Sequence, residues 1–244
     1  MVTRESDGSV TGIGPISRTK LDNTLALKYV APDTFSSDLN GFGGSQWTPA
    51  DKRVAPNQNF VRYANPAQGE LQLAKGDLTF VTHGLENSTG LCFFAAGIRP
   101  QSLPSFTVEY LGVIDGFAVI SGQQKRLFGL LFSDPVLIMN FDTGRGKLQF
   151  QLVARSDPFG DFDKDTGELL GTVSADMQLN PASQNLTLTT LTGSGFSGRV
   201  TGIFVDRDQS VLRTGGAGVA LVFELARPNG DLLFGTIALG ANVM

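Results

Sequence analysis

The sequence predicts an all-β protein whose C-terminal side, residues 101–244, is an antiparallel up-and-down sheet long enough to close into a small barrel. Three observations carry this. Apolar residues recur with period two rather than the helical period of about 3.6. Glycine and asparagine turns interrupt these runs at short spacing, as expected of hairpins. Charged residues make up 17% of the chain, below the ~25% usual for globular proteins, which disfavours long solvated helices. Residues 1–100 read as a less regular β-rich subdomain, of which 1–20 are polar and loose.

Taken in order, residues 31–69 are rich in Pro, Gly, Asn and Ser and read as loops and short strands. Asp77–Val81, Leu91–Ile98, Phe106–Val113 and Gly116–Ile120 follow as strands. Gln124–Asn140 holds two near-continuous apolar runs, Leu127–Phe132 and Val136–Met139, and periodicity alone leaves them open between buried strands and a helical turn. From there the alternation is clear. Leu148, Phe150 and Leu152 form one row, and Val173, Ala175, Met177 and Leu179 another. Leu186 and Leu188 follow, then Val219, Leu221, Phe223 and Leu225, and finally Leu233, Gly235, Ile237 and Leu239. The turns between them are Asp165–Gly167, Asn180–Ser183, Thr192–Gly195 and Pro228–Asp231, whose Gly and Asn suit positive φ. Gly198, Gly202 and Gly235 fall inside strands, as where a small barrel bends.

Composition excludes several function classes. Nineteen Lys+Arg against 23 Asp+Glu give a net charge of −4, and the densest basic segment is Lys125-Arg126. Nucleic acid is therefore not a partner, since its binders need a basic stripe. Eighteen Phe beside three Tyr and one Trp point to rings in a core rather than a Tyr/Trp binding face. The lone Cys92, within Leu91–Phe94, reads as a small buried hydrophobe. With one histidine there is no Cys/His zinc set. No apolar run reaches the ~20 residues of a membrane-spanning helix, and Met1–Glu5 opens no export signal.

Few constellations suggest chemistry. In the acidic segment Asp157–Glu168, Asp161, Asp163 and Asp165 sit at i, i+2 and i+4, the spacing of the first ligands of a Ca²⁺ loop. Thr166 occupies the place of that loop's turn glycine and Thr172 that of its bidentate Glu, so Glu168 would complete the set. The competing reading is a solvated turn, where Asp and Gly are favoured for geometry. His83 reads as a surface or loop histidine, with ligation or base catalysis as the alternative. Glu109 and Asp115 flank a strand pair, while Glu70, Glu86 and Glu224 are scattered. No nucleophile elbow, Walker loop or His-Glu-x-x-His occurs, so no catalytic residue is assigned. Trp47 lies in a glycine-rich segment and reads as core, with a partner anchor as the alternative.

Residues 91–240 resemble the β-barrel domain of bacterial transferrin-binding protein B-like surface lipoproteins. The resemblance rests on the series Tyr110-Leu111-Gly112-Val113-Ile114-Asp115-Gly116, then Gly195-Phe196-Ser197-Gly198 and Gly215-Gly216-Ala217. It closes on Leu233-Phe234-Gly235-Thr236-Ile237-Ala238-Leu239-Gly240, and its lead-in is Phe93–Pro100 followed by Leu103-Pro104. Asp206–Thr214 departs from the turn usual in the family. The resemblance implies a closed eight-stranded barrel behind an irregular β subdomain, on a protein outside the cytoplasm: secreted, periplasmic or at the outer-membrane surface. A lipid anchor follows only if a lipobox cysteine once stood upstream of Met1. It also implies a non-enzymatic protein that binds a protein or small-molecule ligand, in nutrient uptake. No cofactor is expected beyond the Ca²⁺ that the spacing of Asp161, Asp163, Asp165 and Glu168 suggests. A lipocalin-like carrier of a small apolar ligand is the first alternative, and a carboxylate-based hydrolase the second.

Overall fold

The structure, a computed structural model, describes residues 2–4, 10–17, 24–30, 34–37, 46–53, 60–65, 69–74, 80–87, 90–97, 100, 102–128, 135–155, 167–205 and 218–241. Ten strands precede the barrel: β1 Val2–Arg4, β2 Val10–Ser17, β3 Thr24–Val30, β4 Thr34–Ser37, β5 Gln46–Trp47, β6 Lys52–Arg53, β7 Phe60–Asn65, β8 Gly69–Ala74, β9 Phe80–Asn87 and β10 Gly90–Gly97. Nine more follow: β11 Thr107–Ile120, β12 Gln123–Phe128, β13 Val136–Asn140, β14 Arg145–Arg155, β15 Glu168–Asn180, β16 Asn185–Thr192, β17 Ser197–Val205, β18 Gly218–Ala226 and β19 Leu232–Ala241.

The second group is the expected barrel. Antiparallel neighbours run β14-β15-β16-β17-β18-β19, and β19 returns to pair with β11 from Val119↔Leu232 to Tyr110↔Ala241, which closes the ring. Nine strands occupy eight positions, because β12 and β13 share one. Both lie between β11 and β14: β13 pairs Thr107–Leu111 on one side and Arg145–Gln149 on the other, while β12 pairs Asp115–Ile120 and Val153–Arg155. The segment 124–140 left open by the sequence thus contributes two strands end to end. Phe106–Val113 and Gly116–Ile120, read as two strands, belong to the single 14-residue β11. A Ser121-Gly122 turn with φ of 50° and 78° then reverses the chain, as in the type I′ hairpin that matches strand twist.

Alternate residues point into the barrel and fill it. Tyr110, Leu137, Leu148, Phe150, Val173, Met177, Leu186, Phe204, Leu221, Phe223, Leu233 and Ile237 belong to one buried apolar cluster. Rings meet across the interior, Phe150 to Phe223 at 5.7 Å, Tyr110 to Phe204 at 5.9 Å and Phe141 to Phe204 at 5.1 Å between centroids. Eight strands enclose just enough room for side chains to fill, and each large side chain buried contributes roughly 1.5–3 kcal/mol. Arg145, Lys147, Asp176, Arg199 and Glu224 lie on outward rows that are exposed or half-buried. An apolar inside and a charged outside are the reverse of a barrel that spans a membrane. No helix among the described residues is long and apolar enough to cross one.

Inside this packing the Tyr110 hydroxyl is buried with no hydrogen-bond partner among the described residues. Burial alone raises its ionisation well above that of a free phenol. An unpartnered hydroxyl contributes a desolvation cost and no bond. Tyr110→Phe is therefore expected to leave the melting temperature unchanged or to raise it, and a fall of several degrees in a thermal scan would show that the hydroxyl is bonded.

The first ten strands form one antiparallel sheet in the order β5-β4-β3-β2-β10-β9-β8-β7-β6, with β1 added to β2. Several strands are only two to four residues long, the irregular β-rich region expected. Val2–Arg4 and Val10–Ser17 are strands, where the sequence suggested a loose segment. Pro15 and two glycines disguise β2, yet it pairs with β3, and through Ile16 and Ser17 with β10. The two edge strands, β5 and β6, are separated in sequence only by Thr48 and the 3-10 turn Pro49–Asp51, so the sheet curls until its edges are one turn apart. The Asp51 carboxylate accepts from the Thr48 backbone N–H at 2.7 Å and from its hydroxyl at 3.0 Å, tying that turn. Trp47 and Tyr63 are buried beside it, and the core reading of Trp47 is the one the structure supports.

β10 lays this sheet on the outer wall of the barrel. Ala95 joins Ile203, Val205, Ala220 and Val222 in a second buried cluster. Phe93 sits between Phe117 and Phe234, at 6.2 and 6.0 Å between ring centroids. On β17 and β18 both faces are therefore apolar, one row for the barrel core and one for the sheet.

Candidate functional site

With the interior filled, the polar groups that remain for recognition lie on the barrel's outer surface and at its ends. One end gathers the β11–β12 turn, the last residue of β14 and the first of β15, the β16–β17 turn and the β18–β19 turn. Asp161, Asp163 and Asp165 lie outside the described residues. Glu168, the first residue of β15, is described and exposed, and its Oε2 lies 2.7 Å from Lys125 Nζ on β12. A cation taken by the acidic segment would have to draw Glu168 away from that ion pair. No group of three or more His, Cys, Asp or Glu among the described residues is arranged to hold a metal.

The same end carries a knot that sequence reasoning missed. Asp231, buried between the strands it joins, accepts from the Ser121 backbone N–H at 3.2 Å and from Asn229 Nδ2 at 2.8 Å. Its own N–H donates to Asn229 Oδ1 at 3.2 Å. The Arg227 guanidinium approaches the Asp231 carboxylate at 3.7 Å and stands 4.8 Å from the centre of the Phe196 ring, which closes the barrel end. One carboxylate thus ties the β11–β12 turn to the β18–β19 turn, and through Arg227 to Phe196, the residue that precedes β17. Alongside, the Ser194 hydroxyl accepts from the Thr172 N–H at 2.9 Å and pins the β16–β17 turn to β15. The sequence shows Asp231 only as the end of an Asn-Gly turn.

The Asn229 amide, then the Ser121 N–H, hold the Asp231 carboxyl below its ordinary range; Arg227 adds to this and burial opposes it. A folded-state pKa below the unfolded value of about 3.9 gives stability that is complete above that value and is lost as pH falls through the folded pKa. The expected result is that wild type loses melting temperature below about pH 4 more steeply than Asp231→Asn, with the two differing most near neutrality. Parallel curves from pH 7 to 2 would remove Asp231 from the acid sensitivity.

Of the other carboxylates, Glu109, Asp115 and Glu224 do not converge. Glu109 and Asp115 lie six residues apart on the same strand and face, roughly 20 Å at 3.3 Å per residue. Glu224 pairs with Arg199 at 3.0 Å on the barrel's outside. Glu70 and Glu86, scattered in sequence, are direct register partners on β8 and β9. His83 lies on β9 between Leu73 and Phe94, and Cys92 on β10 opposite Leu85; their side chains lie outside the described residues. The glycines and aromatics that carry the family resemblance are structural wherever they are described. Tyr110 and Phe196 are core, and Gly112, Gly116 and Gly235 line the seam between β11 and β19.

No family model matches the chain, and no curated protein matches it. Among solved structures it is similar to HpuA from Kingella denitrificans, crystallised in complex with human haemoglobin. Identity there is 14% over 96% of this chain and 84% of that one, with a TM-score of 0.45. It is also similar to isotype 1 transferrin-binding protein B from serogroup B Neisseria meningitidis, at 10% identity over 98% of this chain and a TM-score of 0.45. The chain spans about half of that second protein, 52% of its length. The second similarity falls on the family whose barrel residues 91–240 resemble; at these identities and TM-scores neither likeness assigns a function.

Proposed function

We propose that this chain is a non-enzymatic binding protein that works outside the cytoplasm and presents the outside of a filled barrel to a protein ligand. The observation that carries this reading is the interior: the rows that would line a ligand cavity meet as one apolar cluster with rings in contact. A small-ligand carrier needs that space, and a hydrolase needs convergent carboxylates, whereas Glu109, Asp115 and Glu224 on the barrel stand apart. What the fold offers a partner is a set of turns held rigid by Asp231, Arg227 and Ser194. A preorganised rim limits the entropy lost on binding.

The test is surface capture of the purified chain on a panel of immobilised extracellular proteins, with haemoglobin and transferrin as first probes. Saturable binding that is weakened by Lys125→Glu or Arg227→Glu supports the reading. Binding to no protein, with turnover of a glycan or ester substrate, overturns it. The candidate Ca²⁺ site at Asp161, Asp163, Asp165 and Glu168 is a separate proposal. Calorimetric titration of Ca²⁺ into metal-free chain decides it, and heat no greater than that of dilution removes it.

A further inference from the structure

The β18–β19 turn holds the one Asn-Gly pair among the described residues, Asn229-Gly230. Asparagine is thermally labile, and most so before glycine, which has no Cβ to hinder attack on the side chain. The reaction needs no enzyme. Hydroxide takes the Gly230 backbone N–H proton, and the nitrogen attacks Asn229 Cγ. The Cγ–Nδ2 bond breaks, the amide nitrogen regains a proton from water and leaves as ammonia, and a five-membered imide remains. Water then opens the imide at one carbonyl or the other, giving aspartate or, with an extra carbon in the main chain, isoaspartate.

The fold engages each group that this reaction uses. Gly230, at φ 89° as in the bulge of a three-residue hairpin loop, donates its N–H to the Arg227 carbonyl at 3.0 Å. Asn229 Nδ2, the leaving group, donates to Asp231 Oδ2 at 2.8 Å, and Asn229 Oδ1 accepts from the Asp231 N–H at 3.2 Å. The Arg227 N–H donates to the Asp231 carbonyl at 2.9 Å and closes the turn. The attacking nitrogen thus keeps its proton, and the side chain it must reach is held toward Asp231. Asn229 is itself exposed, so hydrogen bonding rather than burial protects it. The product cannot rebuild this arrangement. Aspartate at 229 sets carboxylate oxygen against carboxylate oxygen where an N–H···O bond stood, beside the nearly buried Asp231. Isoaspartate lengthens the main chain inside a turn that two backbone bonds close.

We propose that Asn229 is a latent deamidation site: the closed Asp231 knot keeps it intact, each opening of the β18–β19 turn admits the imide reaction, and conversion bars the turn from closing again. The β11–β12 turn, tied to this one through the Ser121 N–H and Asp231, is released with it. The chemistry is the same whatever the barrel end binds.

The experiment incubates the full chain in mildly alkaline buffer, folded and in urea, and reads aspartate and isoaspartate at position 229 by peptide mapping with mass spectrometry. Folded wild type is expected to convert at least about tenfold more slowly than the unfolded chain, because only the locally open fraction reacts. Asp231→Ala, verified as folded by circular dichroism, is expected to convert at least about threefold faster than folded wild type. Phe223→Ala, which weakens the core and leaves the turn's bonds in place, is expected to stay near the wild-type rate. Asn229→Asp is expected to lower the melting temperature by about 2–6 °C. Folded wild type that converts as fast as in urea overturns the proposal, as does Asp231→Ala at the wild-type rate. So does Phe223→Ala matching Asp231→Ala, which would make global unfolding the route, and so does an unchanged melting temperature for Asn229→Asp. The wild-type comparison and Asn229→Asp decide the matter even if Asp231→Ala does not fold.

Discussion

Gly235→Val is expected to cost the folded chain about 3 kcal/mol or more, because the barrel closes by bringing two backbones together where glycines face each other. Gly235 on β19 is the register partner of Gly116 on β11. A Cβ at Gly235 would overlap the Asp115 carbonyl oxygen and stand 2.8 Å from Gly116 Cα and 2.9 Å from Phe223 Cζ. Two of these three are backbone, so relief requires the seam itself to open rather than a side chain to turn. At about 2–4 °C per kcal/mol for a chain of this size, the melting temperature should fall by roughly 6–12 °C. Ala238→Val, on the outward row of the same strand, is the control and should change stability by less than about 0.5 kcal/mol. Equal effects at the two positions would show that the seam is not this tight.

Phe223→Ala is expected to cost about 3–5 kcal/mol, the range for deleting a large ring from a packed core. Phe223 is fully buried, with Phe150 across the interior at 5.7 Å. The surrounding strands are held by ladders on both sides and cannot collapse far into the space. Urea unfolding of the full chain reads the loss, and the vacated volume should bind a small apolar probe that wild type does not, as dry apolar cavities do. A cost below about 1 kcal/mol, with the probe bound equally by wild type, would mean that the barrel holds a cavity from the start.

Much of the barrel was legible because its strands alternate cleanly. Val219, Leu221, Phe223 and Leu225 read as an inward row and are one. The other row, Ala220 and Val222, gave no hint that a second sheet covers it, since small and β-branched residues suit an exposed face as well as a buried one. Gln124–Asn140 resisted reading for a topological reason. Two short strands share one position against β11 and β14, and no periodicity records which partner a strand will find. β2 was hidden by Pro15, which normally argues against a paired strand.

The functional end was less legible still. Asp231 meets Ser121 across 110 residues of chain, and Lys125 meets Glu168 across 43. Neither pairing leaves a local motif. The Glu168 that spacing grouped with three aspartates is held by a lysine on another strand.

A filled barrel leaves only its outside for recognition. Native mass spectrometry of the chain incubated with a series of fatty acids and retinoids tests it most directly, with Phe223→Ala run in parallel. Wild type is expected to fly at its unliganded mass throughout, and the variant to take up the smallest apolar ligands. One equivalent of a long-chain ligand retained by wild type would contradict it.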